Sequence, residues 1–144
     1  LNEKWKYRFL GLAKEVGGWS KDPSTKCGCV IVRPDKSIAS VGFNGFPAGD
    51  LDLPADYLNR SIKLSKIVHA EINAIQFSVN CLVDYHLFVW PLSPCLECSE
   101  RIIRAGIKYV YAPEMPQNKA GRWAEIMDRA IDNFRANEVV FEYL

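Results

Sequence analysis

Two short stretches hold residue types that could do chemistry together. One is His69-Ala70-Glu71, within "VHAEINAI"; the other is Cys95 to Cys98, within "SPCLEC". Two thiolates three residues apart can hold one Zn²⁺ from a single turn. A helix N-terminus adds partial positive charge, which favours the thiolate form. Two cysteines make an incomplete set, and His69 supplies a third ligand of the right type, also where an apolar helical pattern begins. Three protein ligands leave the fourth tetrahedral position open for water, as in a catalytic rather than a structural zinc site. Glu71 would reach the same cavity without being an obvious fourth ligand. Zinc lowers the pKa of a bound water to roughly 7, and a carboxylate beside that water can carry its proton to a leaving group.

Each stretch alone has a blander reading. A lone Cys-x-x-Cys could be a redox pair or two core cysteines. A lone His-x-Glu could be surface polarity on an ordinary helix. A purely structural zinc would leave Glu71 idle, but such sites usually carry four protein ligands. The two stretches together, each at an expected helix start and with Pro94 before the first cysteine, favour the catalytic reading.

The elements that must position these residues follow from apolar spacing. Trp5, Phe9, Leu12, Ala13 and Val16 predict an amphipathic helix over residues 2–16. Val30–Val32 and Ile38–Phe43 read as the strands of a hairpin around "PDKS". Residues 44–60 are rich in Gly, Pro and Asp and read as a long loop, whose length favours a functional role. A helix over 69–79, the strand "YHLFVW", the helix "SERIIRAG", the strand "IKYVYA", a helix over 122–137 and the strand "EVVFEYL" complete the chain. Strands alternating with helices imply an α/β domain with helices covering a mixed sheet. The 144 residues suit one domain spanning 1–144.

Composition narrows the function. With 18 basic and 17 acidic residues the net charge is +1, which weighs against a polynucleotide partner. No apolar run approaches the roughly 18–20 residues of a membrane span. The N-terminal stretch mixes charge with apolar residues, unlike a signal-peptide core. An odd set of five cysteines fits reduced thiols in a cytoplasm. Cys27 and Cys29 alternate with Gly28 and read as core. Cys81 and His86 do not make a convincing second metal set. The helix stripe of Trp123, Ile126, Met127, Ala130, Ile131 and Phe134 reads as core or subunit interface.

His-x-Glu followed by Pro-Cys-x-x-Cys is the signature of zinc-dependent nucleobase deaminases. "HAEINAI" and "SPCLECSERIIRAGI" resemble the cytidine deaminase-like superfamily. Within it, "SKDPSTKCGCVIV", "GFNGFPAG" and "RSIKLSKIVHAEINAI" resemble the deoxycytidylate (dCMP) deaminases. The likeness runs from about Ser20 to Ala112, roughly two-thirds of the chain. It implies a three-layer α/β/α fold with a five-stranded mixed sheet. It implies zinc on His69, Cys95 and Cys98, with Glu71 as the proton carrier in converting dCMP and water to dUMP and ammonia. It further implies that Asn44 hydrogen-bonds the nucleotide and that the backbone at Ala70 holds the pyrimidine's edge. The loop Ser20–Lys26 would meet the 5′-phosphate, with Lys26 or Lys63 as its charge partner. The resemblance also suggests a homo-oligomer, often a hexamer, and in some members control by dCTP and dTTP.

Blander readings exist here too, since Asn-Gly is a common turn dipeptide and single lysines on loops are usually solvated. The run "FVWPLSPC" lacks the threonine common in relatives, and Trp90 reads as core filler. Rival functions are a deaminase of another nucleotide, nucleoside or 5-substituted dCMP; a deaminase of tRNA adenosine or single-stranded DNA; and a zinc-stabilised binding module without turnover. Retention of Glu71 argues against the last.

Overall fold

A computed structural model describes residues 1–115 and 121–144. The elements are α1 (Glu3–Gly17), β1 (Gly28–Val32), β2 (Ile38–Phe43), α2 (Pro54–Leu58), α3 (Arg60–Lys66), α4 (Ala70–Gln76), β3 (His86–Trp90), α5 (Leu96–Arg104), β4 (Tyr109–Ala112), α6 (Arg122–Ala136) and β5 (Val140–Tyr143). The strands form one sheet in the order β2-β1-β3-β4-β5. Strand β1 is antiparallel to both neighbours, while β3, β4 and β5 run parallel. This is the mixed five-stranded sheet expected from the sequence.

Alternation along the strands builds two cores, because successive side chains point to opposite faces. Cys29, Ile31, Leu87, Val89, Val110 and Ala112 pack with Ala70, Ala74, Ile102 and Phe134 from α4, α5 and α6. Val30, Val32, Phe88 and Tyr111 pack with Phe9, Leu10, Ala13 and Val16 from α1. Three layers result, with α1 alone on one face and the helices that carry the chemistry on the other. Trp90 packs beside the α1 core, as expected.

Two glycines set the layer spacing. A Cβ on Gly42 would lie 2.4 Å from the Ala74 nitrogen and 2.5 Å from the Ala70 oxygen, so only glycine lets α4 settle on β2. A Cβ on Gly28 would lie 2.0 Å from the Ala13 oxygen, so α1 settles on β1 in the same way.

The structure departs from the sequence reading at residues 44–60. The expected loop contains α2 and runs directly into α3. Pro54 sits at the first turn of α2, where its missing N–H costs nothing. The Asn59 side chain accepts from the Ile62 N–H and caps α3. Strand β1 also starts earlier than expected, at Gly28, leaving Cys27 just outside it.

Candidate active site

His69 and Cys95 are the residues immediately before α4 and α5, and both have extended backbones. Neither side chain caps its helix, so both are left for other work. Cys98 lies in the first turn of α5 and is fully buried. The approach to His69 is pinned by paired hydrogen bonds between Val68 and Gly45. His69 Nδ1 lies 3.2 Å from Cys98 Sγ and 3.6 Å from Cys95 Sγ. The three ligand atoms lie within 4.8 Å of one another. Donors about 2.3 Å (S) and 2.0 Å (N) from one ion at tetrahedral angles stand roughly 3.5 Å apart, so the residues fit zinc. Among the described residues this is the one such cluster.

The charges favour a cation. The Cys95 thiol is lowered to about 4, first by a hydrogen bond from the Cys98 thiol and also by His69. His69 is raised to about 9, chiefly by its hydrogen bond to Cys95. Cys98, donating to Cys95 and buried, is pushed up. Two sulfurs and an imidazole thus share protons that a divalent cation would displace, since a coordinating thiol is deprotonated outright.

Glu71, in the first turn of α4, is only 6% exposed. Burial raises its pKa, while the neighbouring His69 charge works the other way. A carboxyl in the first turn of α4, beside the three ligand residues, is of the type that carries protons in general acid–base catalysis.

His69, Glu71 and Cys95 lie at a cavity of about 180 Å³ that Ala70, Asn44 and Lys63 also line. A larger cavity, about 300 Å³, lies on the other side of Asn44 between Trp19, Phe43, Tyr57 and Phe77. It contains none of the cluster residues, so the smaller one carries the chemistry.

The sequence of residues 3–113 matches the family model described as the cytidine and deoxycytidylate deaminase zinc-binding region. The chain belongs to this family. It is a zinc-dependent hydrolytic deaminase. It is 44% identical over 131 residues to an uncharacterized deaminase in the luxG 3′ region of Aliivibrio fischeri, covering 91% of this chain and 87% of that one. It is 39% identical over 129 residues to a probable deoxycytidylate deaminase of Caenorhabditis elegans, covering 83% of this chain and 62% of that one. The crystal structure of a dCMP deaminase from cyanophage S-TIM5, in complex with dCMP and dUMP, superposes with a TM-score of 0.75 at 25% identity, covering 100% of this chain and 99% of that one. The chain therefore spans under two-thirds of the nematode relative and nearly the whole phage enzyme.

Asn44 and Lys63 meet at a residue that the sequence reading did not single out. Asp22, 2% exposed, accepts from Lys63 Nζ at 2.8 Å, from the Ser24 N–H at 2.8 Å and from Asn44 Nδ2 at 3.3 Å. Burial alone would raise its pKa, but Lys63 and the backbone N–H groups of Ser24 and Thr25 outweigh it and hold the carboxyl low. Asn44 gives its second amide hydrogen to the Thr25 carbonyl and accepts from the Cys27 N–H. The asparagine therefore braces the loop from Asp22 to Cys27, which a simple turn residue would not do. Lys63 lies at the cavity. Lys26, the other lysine expected there, does not line it: its ammonium donates to the Ser20 carbonyl instead.

Among the cavity residues that the sequence reading did not place there are Ser93, Trp123 and Met127. The α6 stripe read as core or interface therefore also serves the cavity at its N-terminal end. The only signal for Asp22 was the run Asp-Pro-Ser-Thr, an Asx-turn composition.

Proposed function

We propose that this deaminase converts dCMP and water to dUMP and ammonia. The observation that carries the reading is the placement of Glu71 beside His69 and Cys95 in a cavity that Lys63 also lines. His69, Cys95 and Cys98 would hold the zinc, which when bound makes water a competent nucleophile at neutral pH. Glu71 accepts the proton released as water attacks the amine-bearing ring carbon. It passes that proton to the ring nitrogen, and then supports protonation of the departing amine, so its own charge is restored each turnover. The buried first turn of α4 at Ala70 holds the flat edge of the base. Asn44 keeps the 22–27 loop in shape and has one acceptor lone pair left for the sugar. Lys63 would turn from Asp22 toward the 5′-phosphate, with Lys26 at most a distant charge.

The finer parts of the reading are one domain, a reducing cytoplasm and a homo-oligomer. The thiolate ligands support the reducing compartment. No helix among the described residues is long and apolar enough to cross a membrane. The exposed rings of Trp19 and Phe77 beside the larger cavity support self-association. Control by dCTP or dTTP, as the family resemblance suggests for some members, belongs to the same reading. The test is to incubate the zinc-loaded protein separately with dCMP, deoxycytidine, dCTP and a tRNA, and to quantify deaminated product by chromatography. Conversion of dCMP above the others is expected. Conversion of another substrate with dCMP untouched, even with dCTP added, would overturn the substrate assignment and leave the family chemistry intact.

A further inference from the structure

Tyr57, in α2, ties together the two segments that meet at Asn44. It is 5% exposed, and its ring lies on that of Phe46, with centroids 4.0 Å apart and planes 9° from parallel. Its hydroxyl accepts from the Phe46 N–H at 3.3 Å and donates to the Asp52 carboxylate at 3.0 Å. The other oxygen of Asp52 accepts from Lys21 Nζ at 2.8 Å. Lys21 holds the Asp52 carboxyl below the usual range, and burial pushes the Tyr57 phenol up, so one is ionised and the other protonated. The single phenolic hydrogen therefore goes to Asp52, and the phenolic oxygen is left to accept from Phe46. These contacts close a ring through the chain. Phe46 stands two residues after Asn44, and Lys21 one before Asp22. The Asn44 amide and the Asp22 carboxylate meet at 3.3 Å. Gly45, between Asn44 and Phe46, is paired with Val68, next to His69. Tyr57 itself lines the larger cavity and not the one that His69 and Glu71 line, so any effect it has on a substrate there is indirect.

We propose that Tyr57 is a positioning residue for substrate binding. Its hydroxyl fixes the 44–46 segment to the 21–22 segment through Asp52. It thereby holds Asn44 and Asp22 in place at the recognition end of the cavity, where the sugar and phosphate of dCMP would lie. The claim rests on the deaminase reading and names a residue outside the zinc signature. Without the hydroxyl, the buried Phe46 N–H has no partner and Asp52 keeps only the exposed Lys21. The 44–46 segment then loosens, and binding must order it again. The zinc cluster stands on the starts of α4 and α5 and uses none of these bonds. The effect therefore falls on KM rather than on kcat.

The test compares Tyr57→Phe, Asp52→Ala and the double variant, each zinc-loaded, in dCMP turnover well below its melting temperature. Tyr57→Phe keeps the stack on Phe46 and removes only the hydroxyl. It should hold one zinc per chain and the wild-type kcat, while KM rises about fivefold, the net worth of one hydrogen bond. Asp52→Ala should raise KM in the same direction. The double variant should match the larger single effect rather than multiply the two, because both substitutions cut one chain of contacts. A Tyr57→Phe protein that melts lower but keeps the wild-type KM would show that the hydroxyl only supports the fold, and would overturn the proposal. So would a fall in kcat, or KM effects that multiply in the double variant. If wild type leaves dCMP untouched and converts another amino-pyrimidine, the substrate assignment fails. The same KM comparison on that substrate then decides the role of Tyr57.

Discussion

The chain has two histidines, and they sit on opposite faces of one sheet. His69 stands before α4 on the face covered by α4, α5 and α6, with two cysteine sulfurs within 3.6 Å. His86 opens β3 on the α1 face, stacked on Tyr109 at 4.4 Å between ring centroids, with the Tyr111 hydroxyl 3.4 Å from its Nδ1. Their proton affinities move in opposite directions. The Cys95 hydrogen bond raises His69 to about 9, whereas burial lowers His86 to about 4. The same side chain becomes a charge-binding group among thiols and a neutral packing group among tyrosines. Residue type therefore does not make the site. What makes it is the company that two helix starts bring together.

The contrast breaks most visibly at the metal. Cys95→Ala should lose its zinc and all measurable turnover, because two ligands hold the ion far more weakly than three. His86→Phe should keep one zinc per chain by metal analysis. A zinc-replete Cys95→Ala would show that the cluster is not the metal centre. Glu71→Gln comes next, with an expected fall in kcat of about 10²–10⁴-fold. Zinc should be retained, since the amide replaces a group that is not a ligand. Near-normal kcat in that variant would remove Glu71 from the proton path. Asp22→Asn should act more mildly. It leaves Lys63 without its carboxylate and weakens the bracing of Asn44, for a loss of about 1–3 kcal/mol of stability in chemical denaturation. The KM for dCMP should rise with little change in zinc content. If both stability and KM stay at wild-type values, the Asp22–Lys63 pair is only incidental to the recognition end.

The metal face was legible in the sequence because its chemistry is written in short spacings. His69, Glu71, Cys95 and Cys98 sit at helix starts, where a few residues fix the geometry. The strands were equally legible, since short apolar runs such as Val30–Val32 and "YHLFVW" stand between turn and helix patterns. The contacts around Asp22 were not. Asp22 meets Lys63 across 41 positions and Asn44 across 22, and no local pattern announces such pairs. Helix α2 hid in a Gly-, Pro- and Asp-rich run and the cap of α3 lay at its end, because Pro54 and Asn59 start helices as readily as they make turns. Ser93 gave no signal at all, since what distinguishes it is an unpaired oxygen, visible only once its surroundings are placed.

The smallest expected effect tests the other histidine. His86 is neutral in the fold at neutral pH and remains so down to about pH 4, whereas in the unfolded chain it takes up a proton near 6.5. Between those values the unfolded state binds more protons than the folded one, so stability must fall as pH drops through 6.5 and stop falling on this account below about 4. His86→Phe keeps the ring against Tyr109 and removes the proton. The difference in unfolding free energy between wild type and this variant, measured by urea at pH 7 and at pH 5, should shift by on the order of 2 kcal/mol to the disadvantage of wild type. Groups that titrate in both proteins cancel in that difference, including any pH-dependent loss of zinc from the opposite face. Parallel pH profiles would mean that His86 is not held neutral. The α1 face would then share the electrostatic character of the metal face, and the contrast between the two histidines would be one of position alone.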